Sequence, residues 1–205
     1  MRKNLLILLL TFATAFFYSC RETNNNAPLV SEDSIVEGVL SVDSLFADPD
    51  KFVGRYVTVS GQCIHVCDHG AHKAFLLSEA DSARILRAEA TNNIKCRFPQ
   101  SAEGRKVVFS GIFRKEHIDP KEIESMIHRH KVQVATILDE QGPAKAAEAE
   151  KALWACPVEL QSYGQVGITD FAASIADLRA RIEQRDSLQH RRYLTFYFID
   201  VDTIR

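Results

Sequence analysis

Features that identify several common protein classes are missing from this sequence of 205 residues. It contains no Ser-His-Asp order of a hydrolase, no phosphate-binding P-loop and no Rossmann glycine pattern. Lys and Arg number 25 against 27 Asp and Glu, so the excess of basic residues that typifies proteins binding a phosphate backbone is absent. Carboxylates are plentiful, but no pair stands out as an acid–base couple. We therefore expect a non-enzymatic protein without a nucleic-acid partner.

No apolar run is long enough to cross a bilayer, although one lies near the N-terminus. Residues 5–18 form a largely apolar stretch of 14 residues, short of the roughly 20 that a spanning helix needs. Arg2 and Lys3 precede it and Ser19 follows, which predicts a secretory signal peptide over residues 1–19. Cys20 comes directly after the small residue, and this arrangement resembles the lipobox of bacterial lipoproteins, in the loose form found in Bacteroidota. We expect Cys20 to be lipidated; the alternative is an ordinary signal peptide followed by an incidental cysteine.

The exported part is mildly acidic and starts with a polar segment. Residues 20–205 carry 23 basic and 27 acidic side chains, which argues against electrostatic membrane binding, so the lipid on Cys20 would supply the contact with the bilayer. Residues 20–37 include an Asn run and few large apolar groups, and we interpret them as a flexible tether. No acidic cluster follows Cys20, whereas such a cluster resembles the surface-export signal of Bacteroidota lipoproteins. The resemblance therefore implies an outer-membrane protein facing the periplasm. The folded domain is expected over residues 38–205.

Strand-like alternation dominates the first half of that domain. After a short helix at 41–46, the segment Gly54–Gly61 has a strand pattern, and Gly104–Gly111 repeats its shape: Gly-Arg, alternating apolar residues, then Ser-Gly. Residues 74–77 and 94–98 are two further strand candidates. The stretch 52–115 therefore predicts a four-stranded meander.

Helical patterns follow, and a strand closes the chain. Asp119-Pro120 is typical of a helix start, and a second helix begins at Thr169 or Asp170, with apolar residues at helical spacing. Residues 193–201 are rich in aromatic and β-branched side chains, which predicts a last strand. The predicted fold class is α+β with a helical insertion over about 119–190. The order of elements resembles the OB-fold, which implies a five-stranded β-barrel closed by its last strand.

One segment concentrates metal-binding side chains. Residues 63–73 hold two of the four cysteines after Cys20 and three of the seven histidines. We expect a bulge near Ser60-Gly61 that turns Ile64 and Val66 inward, and Cys63, His65 and Cys67 outward. Four residues span about 13 Å of strand, too far for Cys63 and Cys67 to form a disulfide or share a metal ion easily. The predicted zinc or copper site therefore combines the side chains of His65, Cys67 and His69 with Cys156 or His72.

The same cysteines are equally compatible with a purely structural role. A disulfide between Cys67 and Cys156 would pin the helical insertion to the barrel, and a buried thiol often only fills a core. A thiol redox role is disfavoured because Cys63 and Cys67 do not form a Cys-x-x-Cys motif.

The segment also carries a resemblance to a known group of proteins. Gly-Arg-x-Val-x-Val-x-Gly followed by His65-Val66-Cys67-Asp68-His69-Gly70 resembles OB-fold lipoproteins of Bacteroidota that have no established activity. The resemblance covers roughly residues 42–115. It implies the fold and the location, and its motif matches His65, Cys67 and His69, whereas His72 stands where that group has Lys or Gly. The expected function is a membrane-anchored lipoprotein that binds a metal or a small ligand; the alternative is a structural or protein-interaction module among other cell-envelope proteins.

Overall fold

The computed structural model describes residues 34–68 and 70–205. The predicted signal peptide, the lipidation site Cys20 and most of the predicted tether lie outside the described residues, as does His69. Residues 35–37, assigned to the tether, belong to the first strand, β1 (Ile35–Ser41). None of the described helices is long and apolar enough to span a membrane.

Five strands form a closed, mixed barrel, and β1 lies beside it as a sixth strand. The barrel strands are β2 (Tyr56–Val66), β3 (Lys73–Leu77), β4 (Ile85–Ala90), β5 (Lys106–Ile118) and β6 (Leu194–Ile204). The order β2-β3-β4-β6-β5 closes through antiparallel pairing of β5 with β2, and β4 and β6 are parallel. β1 pairs in parallel with the first half of β2. This arrangement confirms the predicted OB-like α+β fold.

The repeated Gly-Arg segments form the two strands that close the barrel. Gly54 and Gly104 precede β2 and β5 at φ +82° and +78°, backbone conformations that favour glycine. The two strands pair antiparallel from Tyr56 opposite Ile112 to Gln62 opposite Lys106. The similar sequences thus produce similar turns, each leading into a strand with alternate residues in the barrel core.

One predicted strand is wrong. Residues 94–98 are irregular rather than extended, because Lys95 and Cys96 both have left-handed φ angles, near +58° and +53°. The third barrel strand is instead β4, whose Leu86, Ala88 and Ala90 face the core. The strand signal of β4 in the sequence is weak, because Ala and Glu have low strand propensity.

The helical insertion lies between β5 and β6, as predicted. After α1 (Val42–Ala47) near the N-terminus, the helices are α2 (Pro120–Gln141), α3 (Pro143–Lys151), α4 (Pro157–Ser162) and α5 (Phe171–Gln189). Asp119 and Asp170 cap α2 and α5 by accepting hydrogen bonds from the backbone N–H groups of Glu122 and Ala173, at 2.8 Å each.

The described residues form two apolar cores, one inside the barrel and one outside it, under the helical insertion. The barrel interior contains Val57, Val59, Phe98, Phe109, Phe113 and Ile199 among its buried side chains. The second core lies between the insertion and the end of the barrel and contains Ile118, Ile123, Met126, Phe171, Ile175, Leu178, Ile182 and Leu194. The insertion therefore packs on the barrel through its own apolar face.

Candidate functional site

A tight turn between β2 and β3 holds the segment that the sequence singled out. The Cys67 N–H donates to the Lys73 carbonyl at 2.9 Å, and the Ala71 N–H donates to the Cys67 carbonyl at 3.0 Å. Gly70 and Ala71 both have positive φ angles, which reverse the chain within a few residues. Cys67 thus lies at the start of the turn, and both its backbone N–H and its backbone carbonyl are hydrogen-bonded within the turn.

The predicted bulge exists, but three residues later than expected. β2 keeps a single alternation through Val57, Val59 and Cys63, and the register with β3 shifts between Cys63 and His65, where Ile64 is the extra residue. Cys63 is consequently fully buried in the barrel core, and its predicted outward orientation is wrong. Burial raises the pKa of its thiol. Val66 points inward as predicted.

His65 faces the outside of the barrel, but it has partners of its own. Its ring stacks on the ring of Phe75, with centroids 5.9 Å apart and planes at 20°. Its Nδ1 lies 3.4 Å from Oε2 of Glu103, the same carboxylate oxygen that accepts a hydrogen bond from the Val66 N–H. The His65 side chain is 17 % exposed. These contacts account for its position without a metal ion.

Cys67 and Cys156 belong to segments far apart in the chain that neighbouring contacts bring close. The Cys67 N–H donates to the Lys73 carbonyl, the Lys73 ammonium pairs with Glu159, and the Glu159 N–H donates to Cys156. Both cysteines are half-buried and both carry free thiols, so no disulfide joins them. Cys156 precedes α4, and its Sγ accepts a hydrogen bond from the Glu159 N–H at 3.4 Å. Burial raises the pKa of the Cys156 thiol, and the neighbouring Cys67 adds to the increase. A raised pKa disfavours the thiolate form of Cys156 in the free protein.

The remaining histidine of the described turn is held by the backbone. Nδ1 of His72 contacts the Cys96 carbonyl oxygen, and the imidazole lies against Gly70, where an added Cβ would be 2.6 Å from Nε2. Among the residues that the structure describes, no three His, Cys, Asp or Glu side chains form a group able to hold a metal ion. The described part of the predicted site therefore contributes two neighbouring thiols, Cys67 and Cys156, while His65 and His72 are engaged elsewhere.

A buried charged cluster between the barrel and α4 was not predicted. Arg87, on the outer face of β4, is 3 % exposed. Its Nη2 lies 2.8 Å from Oε1 of Glu116, its Nη1 donates to the hydroxyl of Tyr163, and that hydroxyl donates to Glu116 at 2.8 Å. Its Nε is 3.1 Å from Oε1 of Glu89, an ion pair without hydrogen-bond geometry. The weak strand signal of β4 hides the alternation that places Arg87 and Glu89 on one face of the strand.

Protonation in this cluster follows from burial and opposite charge. Burial raises the pKa of Tyr163 well above its usual value, so its hydroxyl stays protonated and can donate to Glu116. Burial acting alone would lower the pKa of Arg87, but the neighbouring carboxylates of Glu116 and Glu89 raise it. The guanidinium therefore stays charged, and it also lies 5.0 and 4.8 Å from the ring centroids of Tyr163 and Phe198.

The insertion covers the face of the barrel on which OB-folds usually bind ligands. That face belongs to the second and third barrel strands, here β3 and β4. α4 packs against β4, the Lys73 ammonium pairs with the Glu159 carboxylate, and Glu159 is 4 % exposed. α4 therefore occupies part of the face on which other OB-folds bind their ligands.

The comparisons with known proteins give no further indication of function. No protein-family model, curated protein or solved structure matches the chain.

Proposed function

We propose that the chain is a non-enzymatic, lipid-anchored protein of the bacterial cell envelope, and that its barrel binds a soft or borderline metal ion at one end. The observation that carries the metal proposal is that Lys73 and Glu159 link the segments of two free thiols, Cys67 in the β2–β3 turn and Cys156 in the insertion. In OB-folds these two loops flank the ligand site.

The proposed ligand set is Cys67, His69 and Cys156. His69 follows Cys67 by two residues in the sequence. Two thiolates and one imidazole suit Zn(II), which would add a fourth ligand, or Cu(I), which thiolates favour. The raised pKa of Cys156 implies that metal binding releases protons, because a thiolate is the binding form. Metal affinity should therefore rise with pH.

Metal content of the purified chain tests this part of the proposal. The full chain would be purified in detergent micelles without chelators or metal-affinity resin, and zinc and copper would be measured by plasma mass spectrometry. About one metal ion per chain is expected for the wild type, and much less for Cys67→Ser combined with His69→Ala. His128→Ala, an exposed histidine on α2, is the matched control and should keep the metal. A metal-free wild type that also ignores added zinc and copper would refute the site.

The anchoring proposal rests on the N-terminal residues and needs its own test. Radiolabelled palmitate should be incorporated into the wild type but not into Cys20→Ala, and the variant should leave the membrane fraction. Protection of the protein from protease added to intact cells would agree with the periplasmic side of the outer membrane. Equal labelling of both proteins would contradict lipidation at Cys20.

A second candidate function is a protein-interaction module, which one feature of the fold favours. β1 is an edge strand, and its Ile35 and Val39 side chains are 46 and 60 % exposed. Exposed edge strands can pair with a strand of another protein. If the metal test fails and cross-linking in intact cells through a photoreactive residue at position 39 captures one envelope protein, this alternative replaces the metal proposal.

A further inference from the structure

A cavity lies at the opposite end of α4 from Cys156, away from the proposed metal site. Its volume is about 310 Å³, at the lower limit of small-molecule pockets. It opens where the end of the barrel meets the helical insertion. Six of the side chains that line it matter here: Phe46, Arg84, Tyr163, Arg181, Phe196 and Tyr197.

Two guanidinium groups line this cavity. The side chains of Arg84 and Arg181 are 41 and 31 % exposed, so both can be reached from solvent. Asp81 is the one carboxylate among the lining residues, and its Oδ2 lies 3.7 Å from Nη2 of Arg84, a loose pair. Asp177, outside the lining, pairs with Nη1 of Arg181 at 3.2 Å, so two carboxylates balance the two guanidinium groups. An anionic ligand is favoured by the hydrogen-bond donors that these groups still have unused, and not by a net charge.

Arg181 is held in place and still has donors to offer. Its Nη1 donates to the Tyr163 carbonyl at 2.8 Å and to Asp177 at 3.2 Å. Among the described residues, no hydrogen bond engages its Nε or Nη2. Gly164, at φ +72°, leaves space beside Nη2, where an added Cβ would lie only 3.4 Å from that atom. The planar guanidinium of Arg181 thus has one anchored nitrogen, Nη1, and two nitrogens, Nε and Nη2, that can donate to a carboxylate.

Aromatic rings complete the walls. The Arg84 guanidinium carbon lies 5.8 Å from the Phe46 ring centroid, and that of Arg181 lies 5.9 Å from the Phe196 centroid. Phe46 and Tyr197 meet edge to face at 6.3 Å. The cavity therefore combines flat apolar surfaces with two cations, which is the pattern that recognises a planar anion.

We propose that this cavity binds a small aromatic carboxylate, with Arg84 and Arg181 holding the carboxylate and the rings of Phe46 and Phe196 contacting its planar part. The volume suits a compound of one or two rings. The insertion then covers the usual OB ligand face and, at its edge, creates a different ligand site that uses residues from both the barrel and the helices.

Fluorine NMR relaxation of a fluorinated probe tests the proposal. The full chain in detergent micelles would be titrated with 4-fluorophenylacetate and with its neutral analogue 4-fluorophenylacetamide, and protein-free micelles would correct for partitioning. The acid should bind with a Kd of about 1 mM or lower, and the amide about tenfold more weakly, since a charge-assisted hydrogen bond is lost. Arg84→Gln should weaken binding of the acid about tenfold.

Two further variants locate the effect. Arg129→Gln removes an exposed arginine that pairs with Glu122 on α2, away from the cavity, and should leave binding unchanged. Ala83→Phe places a ring at the lining of the cavity and should abolish binding of both probes. Equal affinity for acid and amide, equal effects of Arg84→Gln and Arg129→Gln, full binding by Ala83→Phe, or no binding at about 10 mM probe would each overturn the proposal.

Discussion

Replacing Arg87 by Met should weaken the packing of the helical insertion on the barrel and lower the free energy of unfolding more than a surface substitution does. The Met side chain keeps much of the apolar stem between Tyr163 and Phe198 but removes the charge. Glu116 and Glu89 then lose their shared cation, and the Tyr163 hydroxyl loses a donor. The stability of the domain should fall because two partly buried carboxylates are left without compensation.

The expected loss of stability for Arg87→Met depends on how far the carboxylates of Glu89 and Glu116 are buried. Removing one member of a buried ion pair typically lowers the free energy of unfolding by about 3–5 kcal/mol. The Glu89 and Glu116 side chains are 36 and 33 % exposed, so water compensates part of the loss. We therefore expect about 3 kcal/mol for Arg87→Met. At about 2–4 °C per kcal/mol for a domain of this size, the Tm should fall by roughly 6–12 °C.

Urea unfolding followed by tryptophan fluorescence measures this loss directly. Trp154 is the only tryptophan of the chain; it donates to Ser174 and lies edge to face with Tyr163 at 5.1 Å, so it reports on the insertion. Combining Arg87→Met with Glu116→Gln in a double-mutant cycle should give a coupling of about 1–2 kcal/mol. A loss below about 0.5 kcal/mol, no larger than that of the exposed Arg129→Met, would refute the role assigned to the cluster.

Three further substitutions or measurements follow from the structure. Burial raises the pKa of Glu89 above its usual value despite the neighbouring Arg87, so the charged form of Glu89 is disfavoured in the fold. Glu89→Gln should therefore raise the free energy of unfolding at neutral pH. Chemical denaturation across pH should show this gain shrinking as the pH falls through the raised pKa. Gly111→Ala should lower the free energy of unfolding by about 3 kcal/mol or prevent folding, since the added Cβ would lie 1.8 Å from a backbone carbonyl oxygen of β6, and circular dichroism measures the loss. Brief alkylation of the native protein, read by peptide mass spectrometry, should modify half-buried Cys67 and spare fully buried Cys63 until urea is added.

For each of these three predictions, a control variant or a contradicting outcome distinguishes the proposed cause from a nonspecific loss of stability. Gly61→Ala meets only side-chain atoms, the nearest being Cγ2 of Val42 at 3.1 Å, so it should be milder than Gly111→Ala; equal losses would contradict the backbone clash as the cause. A stability gain of Glu89→Gln that stays constant from neutral to acidic pH would show that titration of this carboxyl is not its origin. Rapid alkylation of Cys63 in the native state would contradict its place in the barrel core.

The sequence patterns that predicted the fold correctly were those in which local chemistry and tertiary position agree. The Gly-Arg repeat identified β2 and β5, because both the turn and the alternation are encoded within eight residues. Asp119-Pro120 and Asp170 marked helix starts for the same reason, since a cap is a local hydrogen bond. β4 failed the same criterion: Arg87 and Glu89 are poor strand formers, and their outward face is buried only because the insertion covers it.

The candidate site was less predictable because its geometry depends on one residue of register. A bulge at Ile64 rather than at Ser60-Gly61 leaves His65 on the outer face but moves Cys63 into the core, and no local pattern distinguishes the two positions. The approach of Cys156 to Cys67 depends on how the insertion folds back, which is a tertiary property. The spacing of Cys and His within residues 63–73 therefore predicts candidate metal ligands, but it does not indicate that His65 and His72 contact Glu103 and the Cys96 carbonyl.

The position of the insertion determines where this barrel can act. Tyr163, directly after α4, contacts Arg87 of β4, and Glu159 of α4 pairs with Lys73 of β3. Part of the ligand face common to OB-folds is therefore used for internal packing. The two proposed ligand sites therefore lie at the two ends of α4: one near Cys156, and one beyond Tyr163, where Arg84 and Arg181 line the cavity. Because the two ends use different chemistry, thiolate against guanidinium, a metal ion and an organic anion would not compete for the same residues. Similarity to other OB-folds therefore supports the architecture of this protein, whereas its function has to be sought at the edges that its own insertion creates.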